Sequence, residues 1–243
     1  MKSVVIIPAR MAATRFPGKP LVDLCGKPMI RWVCERASRA AGISKVIVAT
    51  CDREIVDAVK TFGGEAVMTS DTHRSGTDRL AEVAANLDAD VIVNVQGDEP
   101  LIDPSSIELA LKPFESSADI TMTSLMTPID SISAQDPNLV KVVVDVHNFA
   151  LYFSRSPLPY ERNALLDKPI YGHVGLYAYT RDFLLKFSSL QPTPLEKTES
   201  LEQLRVLEHG YGIKMLEVKD RPLGVDTLAD LEKVRLAITD GDL

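Results

Sequence analysis

Ser3-Val4-Val5-Ile6-Ile7-Pro8-Ala9-Arg10 opens the chain and runs on through Met11-Ala12-Ala13-Thr14-Arg15-Phe16-Pro17-Gly18-Lys19-Pro20-Leu21. Val4 to Ile7 form an unbroken β-branched run. Such a run reads as a short strand buried on both faces. The loop behind it carries Arg10, Arg15 and Lys19 and no acidic residue, on a chain whose net charge is -7. A local cationic cluster on an acidic protein suits a small polyanion, whereas nucleic acid needs a broad basic face. A nucleoside triphosphate is compact and strongly negative, and it is commonly held where a strand runs into a helix. The stretch is neither GxxxxGK[ST] nor GxGxxG. It reads instead as a loop that wraps a triphosphate with backbone N–H groups and three cationic side chains. The plainer alternative is an ordinary solvated loop.

Outward from this strand the first half alternates. Residues 28–41 read as a helix with Met29, Ile30, Val33, Cys34 and Ala37 on one face, Pro28 in the first turn and Gly42 at the end. A strand at 45–49, a helix at 54–61 closed by Gly63-Gly64, and a strand at 65–68 follow. Then come a helix at 78–87, a strand at 91–95 and a helix at 104–114. This rhythm predicts an α/β fold: a mostly parallel twisted sheet with helices on both faces. After about residue 118 the pattern becomes strands at 120–126, 140–145, 150–153 and 172–179 without long helices. Helices return at 182–187 and 201–208, followed by a strand at 213–218 and a last helix at 228–238. No stretch reads as a linker. The expected organisation is one domain over 1–243, with an inserted antiparallel β-rich lobe at 119–180.

The composition, 45% hydrophobic and 25% charged over 243 residues, allows a sizeable core. Cys25, Cys34 and Cys51 lie apart with no CxxC, which predicts free thiols and a reducing, cytoplasmic setting. No apolar run suits a signal peptide or a bilayer span, so no membrane insertion is expected. His73, His147, His173 and His209 show no metal-ligand spacing, and there is no GxSxG elbow.

Three further stretches carry chemistry. Val91-Ile92-Val93-Asn94-Val95-Gln96-Gly97-Asp98-Glu99-Pro100 reads as a central strand that delivers Gln96, Asp98 and Glu99 to its carboxyl end, where open parallel sheets bind ligands. Carboxylates beside phosphates suggest Mg2+; the plainer reading is a polar turn with Gly97-Asp98 chosen for backbone geometry. In Gly224-Val225-Asp226-Thr227-Leu228, Asp226 or Thr227 can cap the last helix with Asp230 completing a box. Taken alone, these residues favour that cap over a metal role for Asp226. Arg74-Ser75-Gly76-Thr77-Asp78-Arg79 starts a helix whose N–H groups and hydroxyls can meet a base or ribose, with Thr77 as the candidate cap. Arg155, His173, Tyr177, Glu202, Gln203 and Arg205 are polar candidates with structural alternatives. A lone histidine such as His173 suits a hydrogen-bonded core or surface position better than a catalytic one. Glu202, Gln203 and Arg205 suit the solvated side of a helix packed through Leu201, Leu204 and Leu207.

Together these motifs resemble the 3-deoxy-D-manno-octulosonate (Kdo) cytidylyltransferases, from Val4 to about Arg235. The resemblance rests on Ile7-Pro8-Ala9-Arg10, Thr14-Arg15-Phe16-Pro17-Gly18-Lys19-Pro20-Leu21, Ser75-Gly76-Thr77-Asp78-Arg79 and Val93-Asn94-Val95-Gln96-Gly97-Asp98-Glu99-Pro100. It continues in Ala150-Leu151-Tyr152-Phe153-Ser154-Arg155, His173-Val174-Gly175-Leu176-Tyr177, Leu201-Glu202-Gln203-Leu204-Arg205 and Val225-Asp226-Thr227. Pro8-Ala9-Arg10 alone is shared with the CMP-sialate synthetases; the later motifs make the match specific.

The resemblance implies a nucleotide-diphospho-sugar transferase-like fold, a β-rich lobe that helps form a homodimer, and the reaction of CTP with Kdo to give CMP-Kdo and pyrophosphate for lipopolysaccharide assembly. It implies that Arg10, Arg15 and Lys19 hold the phosphates, with Pro8, Ala9, Gln96 and Asp98 in the same nucleotide site. Arg74, Ser75, Gly76 and Asp78 would meet the nucleotide at its cytosine end. Asp98 and Asp226 would bind Mg2+, which reverses the preference for Asp226 as a cap, and Lys19, Arg15, Asp98 and Asp226 would be the catalytic set. Gln96, Arg155, His173, Tyr177, Glu202 and Gln203 would line the sugar pocket. Transfer to 8-amino-Kdo or a sialate-like acid, or a non-catalytic nucleotide sensor on the same fold, are the alternatives.

Overall fold

The structure is a computed structural model that describes residues 1–12, 16–73, 75–162 and 169–241. By its internal contacts the chain divides into two compact units, Met1–Leu109 with Pro222–Leu243, and Ala110–Arg221.

The first unit begins with β1 (Ser3–Ala9), in which Val5, Ile6 and Ile7 have no exposed surface. A two-stranded hairpin, β2 (Asp23–Leu24) and β3 (Lys27–Pro28), leads into α1 (Met29–Ala37). Pro28 sits at the N-cap in extended conformation, one position before the first turn where the sequence placed it. Next come β4 (Ile43–Thr50), α2 (Arg53–Thr61), β5 (Glu65–Met68), α3 (Gly76–Ala84) and β6 (Val91–Asn94). β1 pairs in parallel with β4 on one side and with β6 on the other, and β4 pairs in parallel with β5. Consecutive buried residues in β1, β4 and β6 show a sheet covered on both faces, as their unbroken apolar runs predict. Each such fully buried Ile or Val contributes about 1.5–3 kcal/mol.

The order β6-β1-β4-β5 has one consequence for function. The chain steps outward from β1 to β4 to β5, then returns to the far side of β1 for β6. The strand order therefore reverses between β1 and β6, and the crevice beyond the carboxyl ends of those two strands is where such sheets bind ligands. α4 (Pro104–Ser116) carries the chain into the second unit.

In the second unit β7 (Met122–Ile129) is followed by β8 (Lys141–Val144), β9 (Ala150–Ser154) and β10 (Ile170–Thr180). β10 runs antiparallel to β7 and β8, and β9 antiparallel to β8, as the expected antiparallel excursion requires. Helices α5 (Arg181–Ser189), α6 (Pro194–Glu199) and α7 (Gln203–Glu208) precede β11 (Lys214–Glu217), which pairs in parallel with β7. The helix predicted over 201–208 is present as α7, starting at Gln203, and α6 before it has no counterpart in the sequence reading. Thr193 opens α6 with a capping box, and Ser200, at φ 52°, ends it before α7 begins. The core here is aromatic: Phe153, Tyr179 and Phe187 are each 1% exposed or less.

The chain ends in the first unit with α8 (Leu228–Thr239). Its N-cap is Thr227, whose hydroxyl accepts from the Asp230 N–H while the Asp230 carboxylate accepts from the Thr227 N–H. The cap expected at Asp226 or Thr227 therefore belongs to Thr227. We expect Thr227→Ala to lower the unfolding free energy by about 1 kcal/mol, read as a lower urea midpoint with the m-value unchanged. A midpoint equal to that of the parent protein would show that the box contributes nothing.

Candidate functional site

A cavity of about 340 Å3 opens in the first unit at the carboxyl ends of β1 and β6. Pro8, Ala9, Arg10, Phe16, Lys19 and Pro20 line it from the first strand and its loop. His73, Ser75, Gly76 and Arg79 line it from the start of α3, and Gln96, Gly97, Asp98 and Asp226 complete it. Gly97 is needed for close approach rather than for a turn, because a Cβ there would lie 3.0 Å from the Pro8 carbonyl oxygen. That approach seats the end of β6 against the end of β1.

Lys19 is the centre of the site. Gly18, at φ 73°, turns the loop into a short 3-10 turn over Lys19–Leu21. The Gly18 N–H closes the loop on the Met11 carbonyl at 3.0 Å, and Phe16 packs on an apolar cluster of Leu24, Met29, Val225, Leu231 and Val234. So anchored, Lys19 Nζ donates to Asp98 Oδ2 at 2.7 Å and to the Val225 carbonyl at 2.9 Å, and lies 3.5 Å from Asp226 Oδ1. The Val225 N–H donates in turn to the Asp98 carbonyl at 2.8 Å. Two carboxylates from distant parts of the chain thus converge on one ammonium. With Thr227 serving as the helix cap, the Asp226 side chain is directed to this cluster.

Two hard oxygen donors with a carbonyl beside them fit a hard divalent cation. Among the described residues no group of three or more His, Cys, Asp or Glu side chains could hold a metal. A pair of carboxylates suits an ion that completes its shell with water and phosphate oxygens, the habit of Mg2+, better than one caged by protein alone.

The α3 wall differs in one detail from the sequence reading. Ser75, not Thr77, is the N-cap: its Oγ accepts from the Asp78 N–H at 3.1 Å, while Thr77 is buried. Asp78 is not among the cavity-lining residues. Ser75 and Gly76 do line the cavity, at the N-terminus of a nine-residue helix where N–H groups and the helix dipole favour negative charge. Arg15 and Arg74 lie outside the described residues.

The sequence reading left Phe16, Pro20, His73, Arg79 and Gly97 out of the site. Arg79 follows Ser75 by one helical turn, and that spacing was the available signal. It is 5% exposed and donates through Nη1 to Thr69 Oγ1 and to the Ser70 carbonyl. His73 Nε2 contacts the Glu82 carboxylate. The Ser70 N–H and His73 hold Glu82 below the usual carboxylate range.

The remaining candidates belong to the second unit. Arg155 donates from Nε to the Glu199 carbonyl at 2.8 Å, from Nη1 to the Pro137 carbonyl at 3.0 Å and from Nη2 to the Ser200 carbonyl at 3.4 Å. Its guanidinium acts as a staple on backbone carbonyls. Glu199 returns the bond by accepting from the Arg155 N–H at 3.0 Å and from Ser154 Oγ at 2.6 Å. Beneath this knot Lys141 is wholly buried, and its Nζ donates to the carbonyls of Asp136 (2.9 Å), Leu139 (2.7 Å) and Arg155. Burial pushes the Lys141 pKa down.

His173 and Tyr177 stand together on β10 with ring centroids 5.4 Å apart. Burial, helped by the Arg221 charge, pushes the His173 pKa down to about 3, so the ring is neutral. Gln203 and Arg205, read from the sequence as solvated, are only 5% and 8% exposed. Arg205 grips both carboxylate oxygens of Glu196, a partner that lies outside its own helix and that helical periodicity alone could not supply.

A family model described as cytidylyltransferase matches residues 4–218. The chain is 55% identical to a 3-deoxy-manno-octulosonate cytidylyltransferase of Geotalea uraniireducens (strain Rf4), over 96% of this chain and 98% of the relative. It is 49% identical to one of Escherichia coli, over 96% and 95%. Its fold superposes on a CMP:2-keto-3-deoxy-manno-octonic acid synthetase solved in complex with CTP, with a TM-score of 0.95, 47% identity and full coverage of both chains.

Lys141→Met is expected to cost about 1–3 kcal/mol, since it leaves buried carbonyls without their donor. Chemical denaturation reads this directly, and an unchanged midpoint would remove Lys141 from the account of the knot.

Proposed function

The chain belongs to the cytidylyltransferase family, and on the geometry of its site we propose that it transfers CMP from CTP to 3-deoxy-manno-octulosonate with release of pyrophosphate. The observation that carries the chemistry is the convergence of Asp98 and Asp226 on Lys19 in a cavity at the strand-order reversal. In this reading the anomeric hydroxyl of the sugar acid attacks the α-phosphorus. A phosphorus–oxygen bond to the sugar forms, the bond to the bridging oxygen of pyrophosphate breaks, and the hydroxyl proton passes to solvent.

Little covalent work falls to the protein, so positioning and charge neutralisation carry the rate. Lys19 has a flexible stem and a compact ammonium, which suit it to exchange a carboxylate partner for a phosphate oxygen as negative charge builds on the leaving group. Arg10, with Pro8 and Ala9 beside it, lines the same cavity, and Arg15 is assigned to the same phosphate-binding set. Ser75, Gly76 and the N–H groups of the α3 start line the cavity and are assigned to the nucleotide, and Arg74 and Asp78 are assigned to the same end of it. Asp98 and Asp226 are the groups that would hold Mg2+, which when bound neutralises phosphate charge and acidifies the attacking hydroxyl. Gln96, His173, Tyr177, Glu202 and Gln203 suit a polyol, whose hydroxyls both donate and accept. Arg155 is assigned to hold the sugar-site backbone in place through the carbonyls it staples, with the sugar carboxylate left to its remaining N–H groups.

The same reading includes a homodimer. Its support is β9, which among the described strands pairs only with β8 and exposes Leu151 at 62%. Such an edge is otherwise an aggregation risk. Free Cys25, Cys34 and Cys51 fit a reducing, cytoplasmic setting, and among the described residues no helix is long and apolar enough to cross a membrane.

Pyrophosphate release decides the substrate. Turnover is expected with CTP and 3-deoxy-manno-octulosonate, to be lost on chelation and restored by Mg2+. Strong turnover with a sialate or the 8-amino analogue and none with 3-deoxy-manno-octulosonate would overturn the substrate. Asp98→Asn is expected to lower kcat at least about 100-fold with the circular dichroism spectrum unchanged; wild-type rates in that variant would sink the metal assignment. Leu151→Lys is expected to shift the sedimentation coefficient from dimer to monomer, and a dimer that persists would move the interface elsewhere.

A further inference from the structure

His173 is 8% exposed and lies between Phe153, edge-on at 5.0 Å between centroids, and Tyr177. Its Nε2 is 2.9 Å from Ser124 Oγ, on a serine with no exposed surface. The same Oγ lies 3.0 Å from the Leu176 carbonyl and 3.3 Å from the Val174 carbonyl. Both carbonyls reach it because β10 bulges there: Val174 pairs with Leu125 and Tyr177 with Ser124, so Gly175 and Leu176 intervene between consecutive ladder pairs.

Proton counting then sets the state of the ring. A serine hydroxyl has one hydrogen, and carbonyl oxygens only accept. With Nε2 bare, that one hydrogen would serve three acceptors, and two of them would face oxygen lone pairs in a buried site, at the cost of unsatisfied polar groups. With Nε2 protonated, the ring donates to Oγ, and Oγ–H donates to Leu176 with Val174 sharing it. Every contact is then donor to acceptor. The depressed pKa, about 3, keeps the ring neutral, so only one nitrogen carries hydrogen. Nδ1 has no hydrogen-bond partner among the described residues.

We propose that Ser124 is a positioning residue that locks His173 as the Nε2–H tautomer and so presents Nδ1 as an acceptor to a hydroxyl of the sugar acid. The proposal rests on the reading that His173 belongs to the sugar-acid site. A bare imidazole nitrogen accepts from O–H and repels carboxylate or phosphate oxygens. His173 therefore discriminates in favour of a hydroxyl and leaves the anionic groups to the cationic side chains.

Nitrogen NMR of 15N-histidine-labelled protein, with His173 assigned by loss of its signals in His173→Gln, tests the lock without any substrate. The expected signature at neutral pH is a protonated Nε2 and a bare Nδ1. Saturating 3-deoxy-manno-octulosonate should move the Nδ1 resonance and leave Nε2 protonated. Ser124→Ala should show both tautomers and raise KM for the sugar acid about tenfold with KM for CTP unchanged. Ser124→Thr, which keeps the hydroxyl, should restore the parent signature. A wild-type ring protonated at Nδ1, or a Ser124→Ala ring with the parent signature, overturns the lock. A Nδ1 signal unmoved by sugar acid while turnover proceeds overturns the acceptor role. Absence of pyrophosphate release with CTP and every sugar acid would instead remove the reading on which that role rests, and the ring signature would still decide the lock. If Ser124→Ala does not fold, the wild-type spectrum alone decides.

Discussion

One ammonium holds the first unit's site together. Lys19 Nζ reaches Asp98, the Val225 carbonyl and Asp226, residues separated from it by some eighty to two hundred positions along the chain. Two carboxylates brought so close repel unless a cation stands with them, and here the lysine supplies it. The arrangement needs a backbone already in place: Gly97 against the Pro8 carbonyl, and the Val225 N–H on the Asp98 carbonyl. Thr227 and Asp230 cap α8 between them, which leaves the Asp226 side chain directed at the cluster instead of at the helix end. The capping and the convergence are therefore compatible, and only neighbouring residues share the two tasks.

Charge is handled differently in the two units. In the first, the cavity gathers Arg10, Lys19 and a helix N-terminus against an overall acidic chain, which concentrates attraction for phosphate at one place. In the second, three cations serve the fold. Lys141 and Arg155 are bonded to backbone carbonyls, and Arg205 to Glu196. Beside them stand neutral polar groups: an uncharged His173 with Tyr177, and a buried Gln203. Neutral groups that donate and accept suit hydroxyls, and polyanions are better served by the first unit's cluster.

The strand and helix rhythm of the first hundred residues was legible because buried parallel strands have unbroken apolar runs and their helices a strong 3.6-residue stripe. Glu65–Met68 fell where the sequence placed it, and β1 extended only slightly beyond Val4 to Ile7. The misplaced details were caps and breaks. Ser75 took the role expected of Thr77, because the backbone turns into the helix two residues earlier than polarity suggested. The turn at Ser200 that separates α6 from α7 carries none of the signal that a glycine at positive φ would. Arg205 looked solvated because its partner, Glu196, comes from another helix. Arg79 and His73 were omitted from the cavity for a related reason: each is tied to groups that only folding brings near.

Local order was written in the sequence itself: which segments are strands, which are helices, and that a cationic loop follows the first strand. Hydrophobic periodicity and turn chemistry act over a few residues, so a short window of sequence contains them. Strand order does not. The placement of β6 beside β1, the meeting of Asp98 with Asp226, and the bulge that folds Leu176 onto Ser124 are set by long-range pairing and packing. Tertiary structure alone decided them, because burial and hydrogen-bond satisfaction belong to the whole fold and not to any one segment.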